Sequence, residues 1–225
     1  MRSSCLLALC ILPTLGFARS HDTVSEQVVN SSGDTTVLAE IWVDNWFALS
    51  VNGQSIAEDS TPYLTERSFN AEKITFNADF PMTVAIELRD FMENDTGLEY
   101  IGTNRQQMGD GGAIVQFSVG GQVVGVSNAG WRCHVAQAAP MNTSCAKESN
   151  PQVGVGACAS TSDMPADWTS VGFDDSGWAA ATVHSESEVS PKMGYDAIDW
   201  DRSADLIWAE NLKQDNIVLC RTTIQ

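Results

Sequence analysis

The chain has 225 residues, with 29 Asp and Glu against 12 Lys and Arg, a formal net charge of −17, and 43% hydrophobic residues. A surface this acidic repels nucleic acid and anionic lipid, and its carboxylates serve either solubility in an extracellular medium or the holding of calcium. The length suits one large all-β domain or two small ones. At the N-terminus, residues 1–18 read as a secretory signal peptide: Arg2 gives the positive n-region, Cys5 to Leu15 is apolar, and Gly16-Phe17-Ala18 offers small residues at the cleavage site. That run is shorter than the about 20 apolar residues of a spanning helix. A secreted protein, extracellular or periplasmic and without membrane insertion, is expected. Residues 19–35 are polar and aperiodic, and read as a flexible arm.

Strands follow in chain order, at Thr36 to Val43, Trp46 to Val51, Ser55 to Glu58, Lys73 to Asn77 and Thr83 to Asp90. In the last of these Val84, Ile86 and Leu88 alternate with Thr83, Ala85, Glu87 and Arg89, the period of a half-buried strand. Asn52-Gly53 joins Trp46–Val51 to Ser55–Glu58, because residues that tolerate positive φ suit a type I′ hairpin turn. Gly120-Gly121 does the same between Ala113 to Val119 and Gln122 to Val126. Helical periodicity with caps is nearly absent. The expected fold is an all-β, antiparallel sandwich.

From about Arg132 the loops lengthen and carry Cys133, Cys145, Cys158 and Cys220, the cysteines left after signal removal. Four cysteines allow three pairings, which sequence does not separate. The expectation is Cys145 with Cys158, closing a short Gly/Ser-rich loop, and Cys133 with Cys220, pinning the last strand to the middle of the chain. A zinc site is the weaker reading, since no C-x-x-C spacing occurs and His134 adjoins Cys133. Asp205 to Glu210 and Asn216 to Ile224 read as two closing strands around a turn. Their apolar residues need partner surface, so residues 36–225 are expected to form a single domain with a possible sub-boundary near residue 130.

The run Asp44-Asn45-Trp46-Phe47-Ala48-Leu49-Ser50-Val51-Asn52-Gly53-Gln54, followed about 120 residues later by Phe173-Asp174-Asp175-Ser176-Gly177-Trp178, resembles the galactose-binding-like, jelly-roll-like β-sandwich found as an accessory domain in secreted glycosidases and surface proteins. The resemblance covers residues 39–117 well and 167–183 loosely. It implies a non-catalytic binding module, with Asp174, Asp175 and Trp178 as architecture.

Carbohydrate is the expected ligand class, because indole faces stack on pyranoses while carboxylates and amides bond the hydroxyls. Trp46, Trp131 and Trp200 are the candidate stacking residues; the rival reading of each is core. Asp90, Glu93 and Asp95 cluster after a strand, and Asp110 lies at the far end of the same long loop. These four are the candidate ligands of a structural calcium ion, which takes six to eight flexible oxygens; the rival reading is a solvated turn with Arg89 and Arg105 pairing the acids. No organic cofactor is expected, since neither a phosphate loop nor a dinucleotide fingerprint occurs. Two other functions remain open: an extracellular protein-interaction domain, and a hydrolase using carboxylates such as Asp90 and Asp110. Asn30, Asn94 and Asn142 head glycosylation sequons, and a glycan on Asn94 would compete with a metal in its loop.

Overall fold

The computed structural model describes residues 24–65 and 67–225, so the expected signal peptide lies outside the described residues. In chain order the strands are β1 (Val24–Val28), β2 (Thr35–Asp44), β3 (Trp46–Val51), β4 (Gln54–Glu58), β5 (Ala71–Ala78), β6 (Met82–Arg89), β7 (Leu98–Glu99), β8 (Gln107–Met108), β9 (Gly112–Val119), β10 (Gln122–Val126), β11 (Arg132–Ala138), β12 (Thr161–Ser162), β13 (Ala179–Ala180), β14 (Thr182–His184), β15 (Leu206–Trp208) and β16 (Asp215–Ile224). Among the described residues the one α-helix is a single turn, α1 (Glu186–Val189). No helix among the described residues is long and apolar enough to cross a membrane.

The strands form two main sheets. One runs β1-β5-β2-β9-β15-β14, with β10 also on β9; the other runs β12-β11-β16-β6-β3-β4, with β13 also on β11. All pairs are antiparallel except β1 with β5. Period-two alternation turns Val37, Ala39, Ile41 and Val43 of β2 inward with Ile74 and Phe76 of β5 and Val115 and Phe117 of β9. From the opposite sheet come Phe47, Leu49 and Val51 of β3, Val84, Ile86 and Leu88 of β6, and Val218 and Cys220 of β16. One apolar core thus joins both sheets, the arrangement of a β-sandwich.

Both expected hairpins form. Asn52 and Gly53 take φ of 52° and 78°, and Gly120 and Gly121 take 56° and 83°. Asn52 also reaches beyond its own turn: its Oδ1 accepts from the Thr83 amide at 2.8 Å and its Nδ2 donates to Asp79 O at 2.9 Å. The disulfides have the expected pairing, Cys133 with Cys220 and Cys145 with Cys158. Cys133 and Cys220 face each other across β11 and β16.

Two expectations need correction. Residues 24–28, read within a flexible arm, form β1 at the edge of the first sheet. Polar side chains help to hold it there, which explains the missing apolar period: Gln27 Nε2 donates to Glu58 O at 3.0 Å and to Glu72 Oε2 at 3.2 Å, and Ser60 Oγ donates to Ser25 Oγ at 2.9 Å. The two closing strands do not pair with each other. β15 joins β9 and β14 in the first sheet, while β16 lies between β6 and β11 in the second. The 209–214 connection therefore crosses the sandwich, and a strand's own pattern does not encode which sheet receives it.

Candidate metal centre

The chain passes from the first sheet to the second at Asp44 to Trp46, and this crossover assembles a cluster of acids. Asp44 ends β2, opposite Gly112 of β9. The Asn45 amide then donates to Arg89 O at 2.9 Å, and Asn45 Oδ1 accepts from the Phe91 amide at 2.6 Å, fixing the backbone on both sides of Asp90. Asp90 N donates to Asn216 O at 2.9 Å. Asp110 arrives from the loop before β9, where the Gly111 amide donates to Leu212 O at 3.0 Å. One ligand oxygen from each of Asp44, Asp90 and Asp110 lies within 4.8 Å of the others.

Asp44 is fully buried and Asp90 is 1% exposed. Among the described residues neither oxygen of Asp90 meets a donor in hydrogen-bonding geometry, the neighbouring Phe91 amide donating to Asn45 Oδ1 instead, and Asp44 Oδ1 meets none. Buried polar atoms are ordinarily paired, so three unpaired carboxylate oxygens in one place form a donor set that a hard cation would satisfy. Gly109 makes the space: a Cβ there would stand 1.6 Å from Asp90 Oδ2. A cavity of about 10 Å³, lined in part by Asn45, Tyr63, Arg89 and Asp90, lies alongside, room for about one water.

Lys192 closes the outer side. Its Nζ donates to Asp44 Oδ2 at 3.3 Å and to Asp110 Oδ2 at 3.2 Å, and lies 4.5 Å from the centroid of the Phe69 ring. Burial lifts the Asp44 pKa to about 8, with Asp110 adding to the rise and Lys192 opposing it. Asp90 is driven well above the usual carboxylate range by burial first, and then by Asp44, Glu99 and Asp110. For Lys192, burial pulls the pKa down, and Asp44 and Asp110 outweigh it to give a net rise.

Of the four acids expected at a metal site, the fold brings Asp90 and Asp110 together and leaves Glu93 and Asp95 outside this group. Glu93 is exposed and its Oε1 accepts from the Ile101 amide at 2.9 Å; Asp95 is exposed. Arg89 pairs with Glu87 and Arg105 lies 4.1 Å from the Tyr100 ring, so these contacts are not to the clustered acids. Sequence reading missed Asp44, which entered only as the first residue of the 44–54 run, and Lys192. The signal for Asp44 was its place at a strand end beside Asn45; nothing in the sequence pointed to Lys192.

The three candidate stacking tryptophans do not share a surface. Trp131 is 2% exposed, belongs to the main core, and donates its indole N–H to Val126 O at 2.8 Å. Trp46 is half-buried, with the Arg89 guanidinium 5.4 Å from its ring and Tyr63 at 5.4 Å. Trp200 is half-buried in a separate apolar cluster with Trp42 and Tyr195, and its indole donates to Tyr195 O at 3.0 Å. In the 173–178 motif, Asp175 Oδ2 accepts from Arg221 Nε at 2.9 Å, Asp174 Oδ1 accepts from the Ser176 amide at 3.0 Å, and Trp178 stacks on His134.

No protein-family model matches the chain, and neither a curated protein nor a solved structure matches it.

Proposed function

We propose that the chain is a non-catalytic extracellular binding module of galactose-binding-like, jelly-roll type, in which Asp44, Asp90 and Asp110 hold a divalent cation. The observation that carries this reading is the Asp90 carboxylate, 1% exposed and with both oxygens unpaired, beside the unpaired Asp44 Oδ1. An all-oxygen, carboxylate-rich donor set suits calcium, which tolerates irregular geometry and takes its remaining ligands from water and carbonyls. A bound ion would tie the ends of β2 and β6, and so one end of both sheets, to the loop before β9.

Thermal unfolding with calcium and with EDTA tests the reading. Any ligand of the folded state raises its midpoint by mass action. Calcium is expected to raise the midpoint of the wild-type chain and not that of Asp90→Asn. An equal midpoint in calcium and EDTA for the wild type would overturn the proposal.

Carbohydrate is the ligand class of this reading, with half-buried Trp46 and Trp200 as the stacking candidates that retain some exposure. A glycan array in the presence of calcium tests it, and absence of binding would count against a sugar ligand. A specific observation favours a second reading, a protein-interaction domain. Strand β10 pairs only with β9 among the described residues, and its Val123 and Val124 are 42% and 37% exposed. An edge strand with exposed apolar residues is the surface by which a partner chain extends a sheet. The hydrolase reading draws less support, since Asp90 offers almost no surface to a sugar ring.

A further inference from the structure

We propose that Lys192 sets the charge selectivity of the Asp44, Asp90 and Asp110 site, tuning it to a divalent cation. The inference rests on the cation-binding reading above. Asp44 Oδ2 faces Lys192 Nζ at 3.3 Å, while Asp44 Oδ1 and both oxygens of Asp90 find no donor among the described residues. Asp44 thus keeps one oxygen free for an ion while the other holds the lysine.

The lysine is held in place from its backbone outward. Lys192 O accepts the Trp42 indole N–H at 3.1 Å, and the ammonium lies 4.5 Å from the Phe69 ring centroid while also bonding Asp110 Oδ2 at 3.2 Å. Trp42 is fully buried, which fixes that anchor. Its ammonium is thus a resident positive charge at the site. Beside the three ionised carboxylates the ammonium removes one unit of negative charge, a loss that weakens the binding of a triply charged ion more than that of a doubly charged one.

Removing the lysine charge should strengthen the binding of any cation in proportion to that cation's own charge, because Coulomb energy is linear in it. Calcium and terbium(III), measured at one pH, compete with the same protons on the carboxylates, so proton competition cancels from the ratio of their affinities. The change in that ratio on neutralising Lys192 therefore separates an effect of charge from one of proton competition.

The test is titration of the full chain with calcium and with terbium(III) at low ionic strength, by calorimetry and tryptophan-sensitised terbium emission, in the wild type, Lys192→Met and Lys192→Arg. In Lys192→Met both ions are expected to bind more tightly, and if calcium gains about 10-fold, terbium should gain about 30-fold. Lys192→Arg keeps the charge and should keep the wild-type ratio; Lys192→Gln replaces Lys192→Met if the latter does not fold. Equal gains for the two ions, weaker binding of both in the neutral variant, or the same ratio change in Lys192→Arg would overturn the role of Lys192 while leaving the cation site standing. Failure of the wild type to bind either ion would overturn both proposals.

Discussion

Asp44 and Asp90 bind a proton more tightly in the folded chain than in the unfolded one, since burial raises both pKa values, that of Asp44 to about 8. Raised folded-state values give a contribution that is complete below the unfolded pKa near 4 and lost as the pH climbs toward the folded value. Stability without metal should therefore fall between about pH 4 and pH 8, by up to about 1.4 kcal/mol per pH unit for each such group. Asp59, raised to about 7 by burial, acts with the same sign. Urea midpoints in EDTA across this range check the slope, and Asp44→Asn should show a shallower one; equal slopes would refute the assignment to Asp44. If the proposed cation binds, saturating calcium should flatten the wild-type slope, because the ion would take the place of the protons. Half of this site was legible in sequence: Asp90 and Asp110 stand in a visibly acidic loop, whereas Asp44 lies 46 positions before Asp90 and Lys192 lies 82 after Asp110. The crossover between sheets brings Asp44 to the others, and the segment after α1 brings Lys192.

At the scale of elements, one side chain hydrogen-bonds the 168–175 segment to the second sheet, beside the packing of Trp168 against Ala136, Ile217 and Leu219. Arg221 of β16 is 3% exposed; its Nε donates to Asp175 Oδ2 at 2.9 Å, one terminal nitrogen donates to Ser170 O at 3.1 Å, and the other donates to Trp168 O. Replacing Arg221 with Met leaves two carbonyls and a carboxylate without this donor, so a loss of about 3 kcal/mol is expected. Asp175→Ala leaves the buried Arg221 guanidinium without its counter-charge but with its two carbonyl acceptors, and should cost about 2 kcal/mol. Denaturant midpoints compare the two, and Trp168 and Trp178 emission should shift in Arg221→Met as their packing against β11 and β16 loosens. If Asp175→Ala cost as much as Arg221→Met, the ion pair and not the carbonyl anchoring would be the main tie. The hairpins were readable because Asn52-Gly53 and Gly120-Gly121 specify their turns locally. The partner of β15 was not, since Leu206 to Trp208 is simply apolar and its place beside β9 depends on long-range packing. β1 was hidden for the opposite reason: its docking uses Ser25 and Gln27, and polar side chains leave no apolar period to read.

Across the whole molecule the two disulfides close loops of very different length. Cys133–Cys220 spans 87 positions and bridges neighbouring strands inside the main core, whereas Cys145–Cys158 spans 13 and packs in a small satellite cluster with Leu98. A cross-link stabilises chiefly by restricting the unfolded chain, and the loop-closure relation gives about 4.6 kcal/mol for the longer loop and about 3 kcal/mol for the shorter. The Cys133→Ala/Cys220→Ala variant should therefore lose about 1.7 kcal/mol more than Cys145→Ala/Cys158→Ala. Guanidinium unfolding of the two variants in calcium decides the order. A larger loss in Cys145→Ala/Cys158→Ala would mean that the satellite cluster, and through Leu98 the loop between Asp90 and Asp110, contributes more to global stability than the central strand pair. In that case the same variant should also weaken calcium binding, whereas the expected order predicts that calcium still raises its midpoint by the wild-type amount.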